Sequence, residues 1–296
     1  MGLGYDLEKA LPGGDSARIR RGRRRADGKR VRIKFARGDY PTPAELAQIQ
    51  HEWLVLSELA QAPVAHALEL VQFGNGVGLV LEDVGDRSFD RVLVGQPLDL
   101  EQWLTLAIGA ASALAKVHAH GILHKDIKSQ HFFCSEDGQI ALIDFGIATR
   151  IAQEEQKPEG LEQLEGTLSY ISPEQTGRMN RRVDRRSDLY SLGVTLYETL
   201  TGQLPFNSTD PLELVHCHIA RFPTPPAQLR PQVPQVISDI ILLLLAKVAE
   251  DRYQTAEGLR ADLTRCLEQL QAKGTIEPCP LAQDDERGDL SIPQKL

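Results

Sequence analysis

The stretch from Gly121 to Gly146, GILHKDIKSQHFFCSEDGQIALIDFG, decides how the rest of the chain is read. Two polar clusters, His124-Lys125-Asp126-Ile127-Lys128 and Asp144-Phe145-Gly146, flank two apolar runs, Phe132-Phe133-Cys134 and Ile140 to Ile143. Glu136-Asp137-Gly138 is a turn signal between those runs, so the spacing predicts a β-hairpin. Its open end carries both clusters, which sets the carboxylates of Asp126 and Asp144 toward one site.

Around this hairpin the composition is that of a globular chain. With 296 residues, 42% of them hydrophobic and 25% charged, it can bury the core of one large domain or of two lobes. A net charge of -8 argues against a nucleic-acid binder. The exception is residues 18–34, where ten Arg and Lys side chains meet one acid, Asp27. No aromatic residue interleaves with them, so they read as a solvated strand pair beside a phosphate-binding cleft. Cys134, Cys217, Cys266 and Cys279 form no CxxC pair and fit a reducing, cytoplasmic setting. No apolar signal region opens the chain, and the longest apolar run, Ile240 to Ala246, is too short to span a bilayer.

Taken in order, residues 5–35 predict antiparallel strands turning at Ala26-Asp27-Gly28-Lys29. Leu11-Pro12-Gly13-Gly14-Asp15-Ser16 precedes that turn, and its paired glycines let a backbone approach phosphate, although Pro12 and Asp15 suit a nest of N–H donors poorly. Val31-Arg32-Ile33-Lys34 alternates as a strand, placing Arg32 and Lys34 on one side. Thr42-Pro43-Ala44-Glu45 starts a helix carrying Ile49, Glu52, Trp53, Leu56 and Leu59. Two strands follow between Val64 and Asp83, broken at Gly74-Asn75-Gly76, and a long helix runs through Trp103, Leu106, Ala110 and Leu114. Residues 147–166 are polar and aperiodic. Helices are then expected from Asp188 and near 210–220, 233–248 and 256–272, and the tail beyond Gly274 reads as a linker.

As an ordered set these motifs resemble a eukaryotic-type serine/threonine protein kinase over roughly residues 5–272. The resemblance implies an α+β, bilobal fold, with an antiparallel β N-lobe holding one main helix and a mostly helical C-lobe. It divides the chain into an N-lobe with the start of the hinge at 1–84, a C-lobe at 85–273 and a linker or disordered tail at 274–296. It also implies ATP with Mg2+, or Mn2+, as cofactors and a protein as substrate.

Residue by residue, the resemblance makes Asp126 the base that takes the substrate hydroxyl proton, Lys128 the group that steadies the phosphoryl, and Thr167 a neighbour of Asp126. Lys34 binds phosphates and pairs with Glu52, while Gly13 and Gly14 cover the phosphates. Ile19, Leu81, Glu82, Val84 and Phe133 surround adenine, with Leu81 as gatekeeper and Phe133 as floor. Asp144 holds the metal, with His131 at the second metal position. Asp188 braces the catalytic loop, and Glu174 in Ser172-Pro173-Glu174 pairs with Arg252. The five glutamates Glu154, Glu155, Glu159, Glu162 and Glu165 offer fixed negative charge to Lys125.

Two residues depart from the family pattern. Arg32 stands where a small residue roofs the adenine, so its guanidinium either stacks on the base or fills its place. His131 replaces an asparagine, and imidazole suits transition metals better than magnesium. These departures leave two readings open: an active kinase, or a pseudokinase that keeps the fold as a docking platform. The block from Gly166 to Phe206 also resembles the first module of large bacterial hybrid proteins, in which an AAA-type ATPase and sensor domains follow.

Overall fold

The computed structural model describes residues 4–8, 19–36, 41–73, 76–92, 98–135, 138–153, 168–179, 181–283 and 285. Its first lobe is an antiparallel sheet of β1 (Tyr5–Leu7), β2 (Ile19–Arg24), β3 (Arg30–Phe35), β4 (Ala67–Phe73) and β5 (Gly76–Glu82), in the order β1-β2-β3-β5-β4. Period-two alternation sorts β3 into two faces. Val31 and Ile33 are fully buried against Val80 and Tyr5, and Arg32 and Lys34 project from the opposite face.

On that opposite face lies α1 (Pro43–Glu58). Thr42 caps it with a reciprocal capping box to Glu45, and Pro43 fits the first turn, where its missing N–H has no helical role. The helix buries Ile49, Val55 and Leu56 and, among them, the carboxylate of Glu52. An ionisable group buried this way needs a partner.

Residues 83–86 connect the lobes and lead to β6 (Arg87–Ser88), α2 (Phe89–Val92) and α3 (Leu100–Ala119). Ala107, Ala110, Ala111 and Ala113 are fully buried along α3, and these small side chains let neighbouring elements approach closely. After β7 (Ile122–Leu123), β8 (Phe132–Cys134) and β9 (Ile140–Leu142) form the expected hairpin, with β6 as a third strand. Leu142 also ties the lobes: its N–H donates to Pro63 O at 3.0 Å, and its carbonyl accepts from Ala65 N at 3.1 Å.

The segment after Ile147, read as aperiodic, begins with β10 (Thr149–Arg150), which pairs with β7. Pairing with a strand more than twenty residues away is a tertiary effect that local composition does not carry. The remaining helices are α4 (Arg185–Thr201), α5 (Pro211–Ala220), α6 (Pro226–Leu229), α7 (Gln235–Leu244) and α8 (Ala256–Lys273). α4 is buried on nearly every side, and Trp103 of α3 donates its indole N–H to Thr199 on it at 3.1 Å.

Just beyond α8, Ile276, Cys279, Leu281 and Ala282 are partly buried and pack against the main core. Asp285 accepts from Thr255 Oγ1 at 2.5 Å and from the backbone N–H of Gln254, at the N-terminus of α8. Few apolar residues suffice here because α8 supplies the complementary surface.

Candidate active site

Two non-glycine residues in the signature stretch hold positive φ, Lys125 at 67° and Asp144 at 68°. Such conformations cost on the order of 1–3 kcal/mol and persist where the surroundings impose them. Around Lys125 those surroundings are visible. The buried carboxylate of Asp188 accepts from His124 N at 2.9 Å and from Lys125 N at 2.8 Å, with His118 Nε2 at 2.9 Å behind it. Gln175 donates its amide to Lys125 O at 2.8 Å. His124 completes the loop: its Nε2 donates to Ile143 O at 3.0 Å, its Nδ1 accepts from Asp126 N at 3.2 Å, and its ring meets Phe145 edge-on. His124 and Phe145 are both fully buried, as packing residues should be.

The braced loop carries an ionic chain. Lys34 Nζ lies 2.7 Å from Glu52 Oε2 and 2.7 Å from Asp144 Oδ1. Burial pulls its ammonium down, but Asp144 and Glu52 outweigh that and hold it above the ordinary lysine value. Burial raises Glu52, whose other oxygen accepts from Phe145 N at 3.1 Å. Asp144 is likewise penalised by burial, yet Lys34 holds its carboxyl far below the usual range. Asp126 is held below the ordinary carboxylate value against the same penalty, with the Lys128 ammonium 2.9 Å away favouring its charge. Asp126 Oδ1 is buried and has no hydrogen-bond partner among the described residues. An ionised, unsatisfied carboxylate oxygen is a proton acceptor waiting for a hydroxyl.

His131 stands between the two aspartates. Its Nδ1 donates to Asp126 O at 2.8 Å, which leaves Nε2 as the lone-pair nitrogen, 3.5 Å from Asp144 Oδ2. Burial drives the imidazole down to about 4, so it is neutral at pH 7. A neutral ring nitrogen beside a carboxylate oxygen fits a divalent cation. No group of three His, Cys, Asp or Glu side chains suited to a metal occurs among the described residues.

The residues expected around a base lie beside this chain, between the lobes. Ile19 opens β2 opposite Lys34, and Leu81 pairs with Arg32 across β3 and β5. Glu82 N donates to His66 O at 2.9 Å, and its side chain pairs with Lys29 at 3.0 Å. Val84 packs with Ala65, Phe133 and Ile143. Arg32, only 4% exposed, crosses this space with its guanidinium carbon 4.3 Å from the centre of the Phe133 ring. It also donates to Asp83 Oδ1 at 2.9 Å and to Gly85 O.

Farther out, Arg252 Nη1 and Nη2 meet the Glu174 carboxylate at 2.7 and 3.0 Å in a buried fork, the geometry expected of that pair. Gly13, Gly14, Thr167 and the five glutamates from 154 to 165 lie outside the described residues. Sequence reading missed Asp83, Gln175 and His118. Each acts through a contact more than forty residues away, and no spacing signal marks them.

The comparisons with known proteins agree with this geometry. A family model described as "Protein kinase domain" matches residues 5–263. A probable serine/threonine-protein kinase of Streptomyces coelicolor is 30% identical over 274 residues, covering 90% of this chain and 40% of that protein. A probable serine/threonine-protein kinase of Clostridium perfringens is 28% identical over 267 residues, covering 90% of this chain and 38% of its own length. The serine/threonine-protein kinase PknB of Mycolicibacterium smegmatis is 36% identical over 176 residues, 60% of this chain and 28% of that protein. The chain thus spans well under half the length of these curated relatives.

Proposed function

Because this chain belongs to the protein kinase family, we propose that it transfers the γ-phosphoryl group of ATP to serine or threonine hydroxyls of a protein substrate. The ionic chain Glu52–Lys34–Asp144, continued through His131 to Asp126, carries the proposal. It gathers a cation for phosphate, two donors for a metal and a carboxylate whose Oδ1 has no hydrogen-bond partner among the described residues, at one cleft.

Asp126 Oδ1 accepts the proton of the attacking hydroxyl, and Lys128, 2.9 Å from Asp126 Oδ2, neutralises charge on the group in transfer. Lys34, held by Glu52, contacts the phosphates. The γ-phosphorus–oxygen bond breaks as the new bond to the hydroxyl oxygen forms, and ADP leaves with the electron pair. Asp144 and His131 would hold the divalent ion, which when bound supplies charge neutralisation at the phosphates. Rate comes from positioning and preorganised charge, since the braced loop needs little rearrangement.

The docking-platform reading is not adopted, because Lys34, Glu52, Asp126, Lys128 and Asp144 assemble in one cleft and the relatives carry the names of kinases. No described helix is long and apolar enough to cross a membrane. We take the C-terminal segment as leading toward further domains of the AAA-ATPase and sensor type, in line with the hybrid-protein resemblance.

The test is nucleotide binding by calorimetry with ATP and Mg2+ or Mn2+, followed by transfer of labelled phosphate to protein. Asp126→Asn is expected to keep nucleotide affinity while losing about 10²–10⁴-fold in rate. Absence of nucleotide binding with both metals rules the enzyme out.

A further inference from the structure

The slot between the lobes beside Lys34 has a roof on β3, a floor at Phe133 on β8, and an edge formed by the connecting residues 83–85. Val84, Phe133 and Ile143 form an apolar cluster there with Ala65, and Leu81 pairs with Arg32 across β3 and β5. A flat aromatic ring with phosphates directed at Lys34 suits such a slot. A ring stacked between roof and floor needs about 7 Å, two carbon contacts of 3.5–4.0 Å each. The Arg32 guanidinium stands 4.3 Å from the Phe133 centre, so this space already holds a planar group.

We propose that Arg32 is a displaceable occupant of the nucleotide-base slot, so that the resting protein binds nucleotide mainly through its phosphates and gains little from the base. The inference rests on the kinase reading for the identity of the slot.

Three contacts hold Arg32 in place: the Phe133 face, Asp83 Oδ1 at 2.9 Å and Gly85 O. A stacked and paired guanidinium of this kind contributes well beyond an exposed ion pair. Its displacement is nonetheless feasible, because a second guanidinium, that of Arg21, already paired with Asp86, lies beside the first. Arg21 Nη2 already donates to Gly85 O at 3.1 Å, and Arg21 Nε is buried, without a hydrogen-bond partner among the described residues, 3.9 Å from Asp83 Oδ2. Arg21 can therefore take over Asp83 and Gly85 when Arg32 leaves, sparing the carboxylate from being stranded. The slot then has two states built from the same four groups, and base binding selects the one with Arg32 outside.

The measurement is the affinity of ATP relative to inorganic tripolyphosphate, each with Mn2+, in the wild-type chain and in Arg32→Ala. Tripolyphosphate reports the phosphate contacts alone. We expect the ratio of ATP to tripolyphosphate affinity to rise about tenfold in Arg32→Ala, with tripolyphosphate binding unchanged. An unchanged or lower ratio overturns the inference, as does a failure of every protein to bind ATP. If Arg32→Ala alone does not fold, Arg32→Ala/Asp83→Asn removes both charges and answers the same question. Phosphoryl transfer is followed on the same proteins. A raised ratio without transfer in any variant removes the kinase activity and leaves Arg32 as slot occupant; transfer with an unchanged ratio does the reverse.

Discussion

At the scale of single residues, the site is defined by charges that stay ionised despite burial. Lys34 and Asp144 each stabilise the charge of the other, and Glu52 fixes Lys34 from behind. His131 is the residue that distinguishes this cleft. Its tautomer is set by the Asp126 carbonyl, which turns a nitrogen lone pair toward Asp144. An asparagine in its place would offer a harder oxygen donor. We therefore expect His131→Asn to shift the preference for metal from Mn2+ toward Mg2+, by about tenfold in the ratio of transfer rates. Initial rates across a titration of each metal measure this, and an unaltered ratio would mean that the histidine takes no part in metal binding.

Among the elements, the loop at His124 and Lys125 is braced from outside by side chains of helices. Asp188, in the first turn of α4, reaches two loop amides, and α4 is in turn packed closely against α7. Gly193 permits that approach: a Cβ there would stand 2.7 Å from Leu244 Cβ and 3.2 Å from Leu245 Cδ2. The first contact is with an atom fixed to the α7 backbone, so the helices themselves must part. Alanine gains about 1 kcal/mol in helix propensity, whereas overpacking costs about 1–3 kcal/mol. The balance favours a loss, and Gly193→Ala should lower Tm by a few degrees in a thermal scan. A higher Tm would show that the helices separate without strain.

For the molecule as a whole, residues 276–282 and Asp285 make contacts with the second lobe. Ala282 N donates to Asp262 Oδ2 at 2.8 Å, Glu277 N donates to Gln269 Oε1 at 2.8 Å, and Asp285 holds the start of α8. Ending the chain at Lys273 removes these bonds and bares the apolar surface under Ile276 and Leu281. We expect that truncation to destabilise the protein by about 2–4 kcal/mol, seen as a lower midpoint in urea, on the scale of two partly buried aliphatic side chains. An unshifted midpoint would favour the linker reading.

Much of this was legible in the amino-acid order. The hairpin, the capped helix before Glu52, the alternation that puts Arg32 and Lys34 on one face, and the Glu174–Arg252 pair follow from local periodicity, turn chemistry or resemblance, and the structure contains each of them. Sequence also marked Arg32 and His131 as departures, because both sit inside recognisable motifs. Only the tertiary structure decided what they do. The placement of Arg32 across Phe133 depends on two lobes meeting, and its hold on Asp83 and Gly85 depends on the path of the chain between them. The lone pair of His131 is directed by a carbonyl five residues earlier, through the fold of a strained loop braced from α4. Periodicity determines which face of an element a residue occupies, whereas the group it meets there is set by the packing of elements distant in the chain.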